Sequence, residues 1–166
     1  MDSYVFKLAK KEDTSKILEF YHSLIGTSGC TWNLDYPNED IVNQDIINNS
    51  LYLLKENDVI ISVAVAGIGS GYTKTAKLKW SSNNPCDLAR FGVLLSKQNC
   101  GIGSFMLNKV ITAVKERGFD GIQLLVDKLS PTASALYDKN GFVQCGETQM
   151  DDTDFYCYEM VFDIKK

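Results

Sequence analysis

The run Gln98-Asn99-Cys100-Gly101-Ile102-Gly103-Ser104 joins an apolar segment, Cys86 to Leu95, to a stretch with Ile102, Met106, Val110 and Val114 on one helical face. A strand that turns through glycines into a helix leaves the first N–H groups of that helix unpaired, pointing together at the positive end of its dipole. Such a turn binds phosphate. Gly101 and Gly103 remove side chains that would hold a diphosphate away from the backbone, so the loop needs no lysine. A purely structural strand-to-helix turn has the same spacing, and two glycines alone do not separate the readings. No G-x-x-x-x-G-K-S/T occurs, which excludes a Walker loop. A G-x-G-x-x-G fingerprint would need glycine where Met106 stands, and too few residues follow Asp127 for the further βα units of a dinucleotide domain.

Other chemistry is thinly represented. Five cysteines (30, 86, 100, 145 and 157) form no C-x-x-C pair and are odd in number, and His22 is the only histidine. Metal centres, disulfide frameworks and His-dependent triads therefore lack their residues. Seventeen Lys and Arg against 21 Asp and Glu give a net charge of -4, which lacks the basic footprint of a nucleic-acid binder. The start Met1-Asp2-Ser3-Tyr4 is not a signal peptide, and the longest apolar stretch, Val59 to Ile68, is too short to span a bilayer. A soluble cytoplasmic protein without membrane or nucleic-acid partners is expected.

The elements that must position the loop read as one alternating succession, a single domain over residues 1–166. Tyr4–Leu8 reads as a strand. Asp13 can cap a helix with Ile17, Leu18, Tyr21, Leu24 and Ile25 at helical spacing, stopped by Gly26. A polar loop to Pro37 follows, and Asn38 caps a second helix with Ile41, Val42, Ile46 and Ile47 on one side. Ser50–Lys55 and Val59–Ile68 form a hairpin, Ala76–Trp80 is a brief alternating piece that reads as a strand extension or an excursion, and Cys86–Leu95 is another strand. After the long helix come the apolar strand Gly121–Val126, a helix over Pro131–Lys139, and strands near 142–149 and 155–164. Helices between strands early and late, with a hairpin in the middle, give an α/β fold around a mixed sheet.

Gln98-x-x-Gly101-x-Gly103 after Val93-Leu94-Leu95, followed by Ala133-Ser134-Ala135-Leu136-Tyr137-Asp138-Lys139-Asn140-Gly141-Phe142, resembles the GNAT superfamily of acyl-CoA-dependent N-acyltransferases. The element order extends the resemblance over almost the whole chain. It implies a six- to seven-stranded mixed sheet with flanking helices, splayed between strands 86–95 and 121–127, with acetyl-CoA in the opening. On this resemblance the backbone of Val93 and Leu95 meets the pantetheine arm, and Gln98, Asn99, Cys100, Gly101, Ile102, Gly103 and Ser104 hold pyrophosphate. Tyr137 stands where many members place a tyrosine near the cofactor sulfur; a phenol stays protonated at neutral pH and can donate to a departing thiolate. Ser130 replaces a common asparagine beside the arm, Leu95 a common proline and Asn99 a common glycine.

Thr31-Trp32-Asn33-Leu34-Asp35-Tyr36-Pro37 resembles the W-x-x-x-Y-P loop of a bacterial GNAT subgroup, in which it walls the acceptor pocket. Trp80 matches that subgroup's second tryptophan, and Arg90 a basic residue in its central strand. Aromatic walls near Asp35, Glu39 or Asp40 suit a cationic amine with an apolar body; Trp32 and Tyr36 could equally pin the loop to the core. The resemblance implies direct transfer of acetyl to a primary amine of a small molecule, peptide or protein. An acyl-CoA-binding sensor or scaffold without turnover is the alternative. The general base, for which Asp87 and Asp35 are candidates, and the oligomeric state, a homodimer included, stay open.

Overall fold

Alternation along the central strands decides the layering. The computed structural model describes residues 3–76 and 78–163. Its elements are β1 (Tyr4–Leu8), α1 (Thr14–Leu24), α2 (Glu39–Ile47), β2 (Leu51–Glu56), β3 (Val59–Gly67), β4 (Pro85–Val93), α3 (Ile102–Glu116), β5 (Gly121–Asp127), α4 (Pro131–Lys139), β6 (Val143–Met150) and β7 (Thr153–Val161). Leu51 and Leu53 of β2, with Val63 and Val65 of β3, face Ile17, Phe20, Tyr21 and Leu24 of α1. Tyr52, Leu54, Ala64 and Ala66 face Met106, Leu107, Val110 and Val114 of α3 on the other side. Both faces are thus covered, so the apolar run of β3 is buried from Ile60 to Gly67.

The seven strands form one sheet in the order β1-β2-β3-β4-β5-β7-β6, antiparallel except between β4 and β5. The expected mixed sheet therefore has seven strands. Among the described residues no helix is long and apolar enough to cross a membrane.

The parallel pair is paired over three residues only: Pro85, Cys86 and Asp87 match Gly121, Ile122 and Gln123. Beyond them the strands part. The cause lies in β4, where Val63 pairs with Gly92 but Val65 with Ala89, so that Arg90 and Phe91 together oppose Ala64. Arg90 has a left-handed φ of 46° at this bulge, and a bulge bends its strand and increases its twist. The expected splay is present, with its origin in one extra residue.

Three expectations need correction. Ala76–Trp80 is not a strand: Ala76, Leu78, Lys79 and Trp80 follow an irregular path, Lys77 lying outside the described residues. The segment is anchored by side chains, with Trp80 Nε1 donating to Thr73 O (3.3 Å) and Ser81 Oγ to Glu159 Oε1 (2.7 Å). The strand expected to reach Leu95 ends at Val93, after which Leu95–Lys97 makes a 3-10 turn. Asp13 does not cap α1 through its side chain. Its carboxylate accepts from Lys10 N–H (2.8 Å) and pairs with Lys7 and Lys55 (3.3 Å each). Asn38, by contrast, caps α2 as expected, accepting from Ile41 N–H at 3.0 Å.

Candidate active site

Where β4 and β5 diverge, a groove of about 480 Å³ opens. Leu88 to Val93 of β4, Leu124 to Asp127 of β5, the start of α3 and residues of α4 line it. Gln98, Asn99, Gly101, Gly103 and Ser104 line it. Asn99 and Gly101 are left-handed, with φ of 61° and 84°, a state that glycine adopts freely and asparagine tolerates better than most residues. Phe105 N–H is the first to close onto the helix, at Gly101 O (3.0 Å), so those of Ile102, Gly103 and Ser104 precede the first intrahelical bond. Gln98 Nε2 donates to Val93 O (3.0 Å) and braces the loop against the strand end.

The two glycines serve different ends. A Cβ on Gly101 would meet nothing within 4 Å, so glycine answers to the backbone conformation there. A Cβ on Gly103 would lie 3.3 Å from Leu136 Cδ1 and 3.8 Å from Val93 Cγ2, so glycine lets α3 approach α4 and the groove wall. Ser104 Oγ accepts from Asn140 Nδ2 (3.0 Å), which joins the end of α4 to the start of α3. Of the other loop residues, Cys100 is exposed and Ile102 is buried in the core; neither lines the groove, and nor does exposed Leu95. Ser130 does line it, with Oγ 3.2 Å from the position of a Cβ on Gly29.

Tyr137 projects from α4 into the groove wall at 5% exposure. Its ring is held by Phe142 (centroids 5.3 Å apart), Tyr158 (6.1 Å) and Phe91 (6.5 Å). Burial holds its phenol above the ordinary tyrosine value, so it remains a proton donor at neutral pH. Tyr137 is thus both a core residue and a wall of the groove.

A second cavity, about 440 Å³, lies against the first. Trp32, Leu88, Ala89, Arg90, Leu125 and Asp127 line both. Trp32 packs edge-on against Tyr21 (4.9 Å between centroids), so it pins its loop and walls the cavity at once. Tyr36 lines the second cavity and its hydroxyl accepts from Arg90 Nη1 (3.1 Å). Arg90 also donates to both carboxylate oxygens of Asp45, at 2.9 and 2.8 Å, in a buried bidentate pair. Burial opposes the guanidinium charge, but Asp45 more than offsets this and raises the Arg90 pKa. Trp80 lines neither cavity.

The two candidate bases are not brought to the groove. Asp87 is buried with Thr73 (2.6 Å) and Gln123 (3.0 Å) at the paired end of the strands, and Asp35, Glu39 and Asp40 are exposed outside both cavities. Carboxylates that do line the second cavity are Asp127 and Asp151. Asp127 was legible as an acid that ends an apolar strand. Asp151 and Asp152 form the β6–β7 turn with φ of 46° and 63°, a role the Asp-Asp pair does not announce because such turns favour Asn-Gly or Asp-Gly. Asp45 gave no signal beyond its place on an amphipathic helix. Among the described residues no group of three His, Cys, Asp or Glu could hold a metal ion.

Comparison with solved structures finds the same fold widely. A GNAT-family acetyltransferase from Streptococcus agalactiae superposes with a TM-score of 0.77 at 18% identity, over 97% of this chain and 96% of that one. The PaiA N-acetyltransferase of Thermoplasma acidophilum, solved with coenzyme A, gives 0.73 at 16% identity over 96% and 99%. The acetyltransferase YncA of Salmonella typhimurium, described as putative and solved with acetyl-CoA, gives 0.72 at 16% over 97% and 95%. A search of curated proteins finds no match. The model of the acetyltransferase (GNAT) family matches residues 17–142, which spans α1 through the end of the Asn140-Gly141-Phe142 corner, and the chain belongs to that family.

Proposed function

We propose that this chain is a single-domain cytoplasmic N-acetyltransferase that moves an acetyl group from acetyl-CoA to a primary amine of a small molecule, peptide or protein, directly within a ternary complex. The observation that carries this reading is the meeting of two cavities in the gap between β4 and β5, since direct transfer needs donor and acceptor sites that share a wall. The fit to coenzyme A rests on the chain's own groups. The α3 N-terminus with Asn99 and Gly101 left-handed suits pyrophosphate, while the facing edges of β4 and β5 have no ladder partner beyond Asp87 and Gln123 and suit the amides of a pantetheine arm.

When bound, acetyl-CoA supplies a thioester: the amine lone pair forms the C–N bond, the C–S bond breaks, and the thiol leaves with a proton. Tyr137 holds a proton in the groove wall and donates it toward the leaving sulfur, and the proton that the newly acylated nitrogen sheds restores the phenol through solvent. Val93 offers backbone groups to the arm, and Gln98 keeps the strand end and phosphate loop in register. Arg90 and Asp45 fix Tyr36 in the acceptor wall, and Trp32 closes the boundary between the cavities. The positions of Trp32 and Tyr36 support assignment to the W-x-x-x-Y-P subgroup, with Trp80 supporting the wall from behind through Thr73.

Calorimetric titration with acetyl-CoA, paired with free-thiol release across an amine panel, tests the reading. Saturable binding with amine-dependent thiol release is expected. Failure of acetyl-CoA to bind, or binding without amine-dependent release, would overturn it.

A further inference from the structure

The acceptor cavity carries information about charge. Among the described residues lining it, the ionisable acids are Asp127 and Asp151 and the sole cation is Arg90. Arg90 is already engaged by both oxygens of Asp45 and by Tyr36, so it is not available to a carboxylate on the substrate. Asp127 sits where the two cavities meet, with Oδ1 accepting only from Leu129 N–H (2.8 Å) among the described residues. Asp151 lines the acceptor cavity from the β6–β7 turn. Trp32, Tyr36 and Phe155 supply aromatic walls of the same cavity.

The sheet register sets their separation. Asp127 pairs with Phe155, and β7 continues two residues further to Thr153, beside which the turn lies. Strand rise and strand spacing put the two carboxylates on the order of 10 Å apart. An extended aliphatic chain with an ammonium at each end bridges such a span, its methylenes against the aromatic faces.

Resting on the acetyltransferase reading above, we propose that the acceptor is a dicationic aliphatic amine without a neighbouring carboxylate: Asp127 receives the reacting nitrogen and Asp151 binds the distal ammonium. Asp127 holds the incoming ammonium at the boundary of the donor groove, where the ammonium passes one proton to solvent water and its freed lone pair attacks the thioester carbon. Asp151 is a specificity residue, remote from the reacting atoms. A free α-amino acid is disfavoured, because among the described residues its carboxylate would meet two acids and no available cation.

Initial rates with 1,5-diaminopentane, pentylamine and 5-aminopentanoate at saturating acetyl-CoA test this. The diamine is expected to exceed pentylamine by about tenfold in kcat/KM, the value of one charge-assisted contact, with 5-aminopentanoate slowest. Asp151→Asn is expected to raise the KM for the diamine by about the same factor while leaving pentylamine kinetics and acetyl-CoA affinity unchanged. Equal use of diamine and monoamine, preference for 5-aminopentanoate, or an equal effect of Asp151→Asn on diamine and pentylamine would overturn the proposal. If acetyl-CoA binds and pentylamine is turned over while the diamine shows no advantage, only this inference falls; if acetyl-CoA does not bind, the functional reading falls with it.

Discussion

Tyr137→Phe removes one oxygen and little else. The ring contacts to Phe91, Phe142 and Tyr158 survive the change, and among the described residues no group hydrogen bonds to the phenol, so its loss orphans no buried partner. Stability should therefore shift by less than about 1 kcal/mol, in contrast with the several kcal/mol of a truncation to alanine. The catalytic loss is a separate quantity. A hydrogen bond from a neutral donor to a developing thiolate is worth roughly 1.5–3 kcal/mol, which at about 1.4 kcal/mol per decade lowers kcat roughly ten- to 150-fold. Acetyl-CoA affinity should stay constant, because that contact strengthens only as the C–S bond breaks. Stopped thiol-release assays for kcat, calorimetry for affinity and a thermal melt separate the three effects. A variant with parental kcat, or one whose loss of rate tracks a loss of thermal stability, would refute the donor role.

Breaking the buried Arg90–Asp45 pair by Asp45→Ala should destabilise the fold by about 3–5 kcal/mol in urea denaturation, since a guanidinium would be left uncompensated. Gly101→Ala should cost about 1–2 kcal/mol through its left-handed φ, with weaker acetyl-CoA binding by calorimetry. Gly103→Ala should be nearly tolerated because Leu136 Cδ1 can yield, whereas Gly103→Asp should abolish binding; equal affinities for the two variants would contradict the phosphate site. Burial opposes the Asp13 charge, but Lys10 N–H, Lys55 and Lys7 outweigh it and hold the carboxyl below its ordinary value. Its stabilisation is therefore present above the unfolded pKa and lost as pH falls through the folded one. Asp13→Asn should lower urea stability at pH 7 by about 1–2 kcal/mol and flatten the decline below about pH 4.

The elements that the sequence made plain are those in which one periodicity dominates. The stripe Ile102, Met106, Val110 and Val114 is completely buried on α3, and Gly121–Val126 is a strand covered on both faces. The 76–80 segment misleads because Ala76, Leu78 and Trp80 alternate with polar residues as a strand does, while its anchors are distant: Leu78 against Gly146, Ser81 on Glu159 and Ser82 on the Asp120 carboxylate. Tertiary contacts, absent from any local window, decide it. The glycine loop before α3 was legible because its conformation is set locally. The second cavity was only partly so: Trp32 and Tyr36 line it, but its acids come from the end of β5 and from the β6–β7 turn, far apart in sequence and united by strand pairing.

One bulged residue accounts for much of the site. If Arg90 and Phe91 took consecutive places in a regular ladder, β4 would keep the direction it has at Asp87 and could go on pairing with β5, closing the gap. The bulge instead bends β4 away, and three consequences arise together. A row of backbone groups on each strand is left for an extended ligand, Arg90 lies where Asp45 and Tyr36 meet it, and Phe91 is brought against Tyr137. A chain of net charge -4 can then receive a polyanionic cofactor through neutral amides and one helix end on the α3 side.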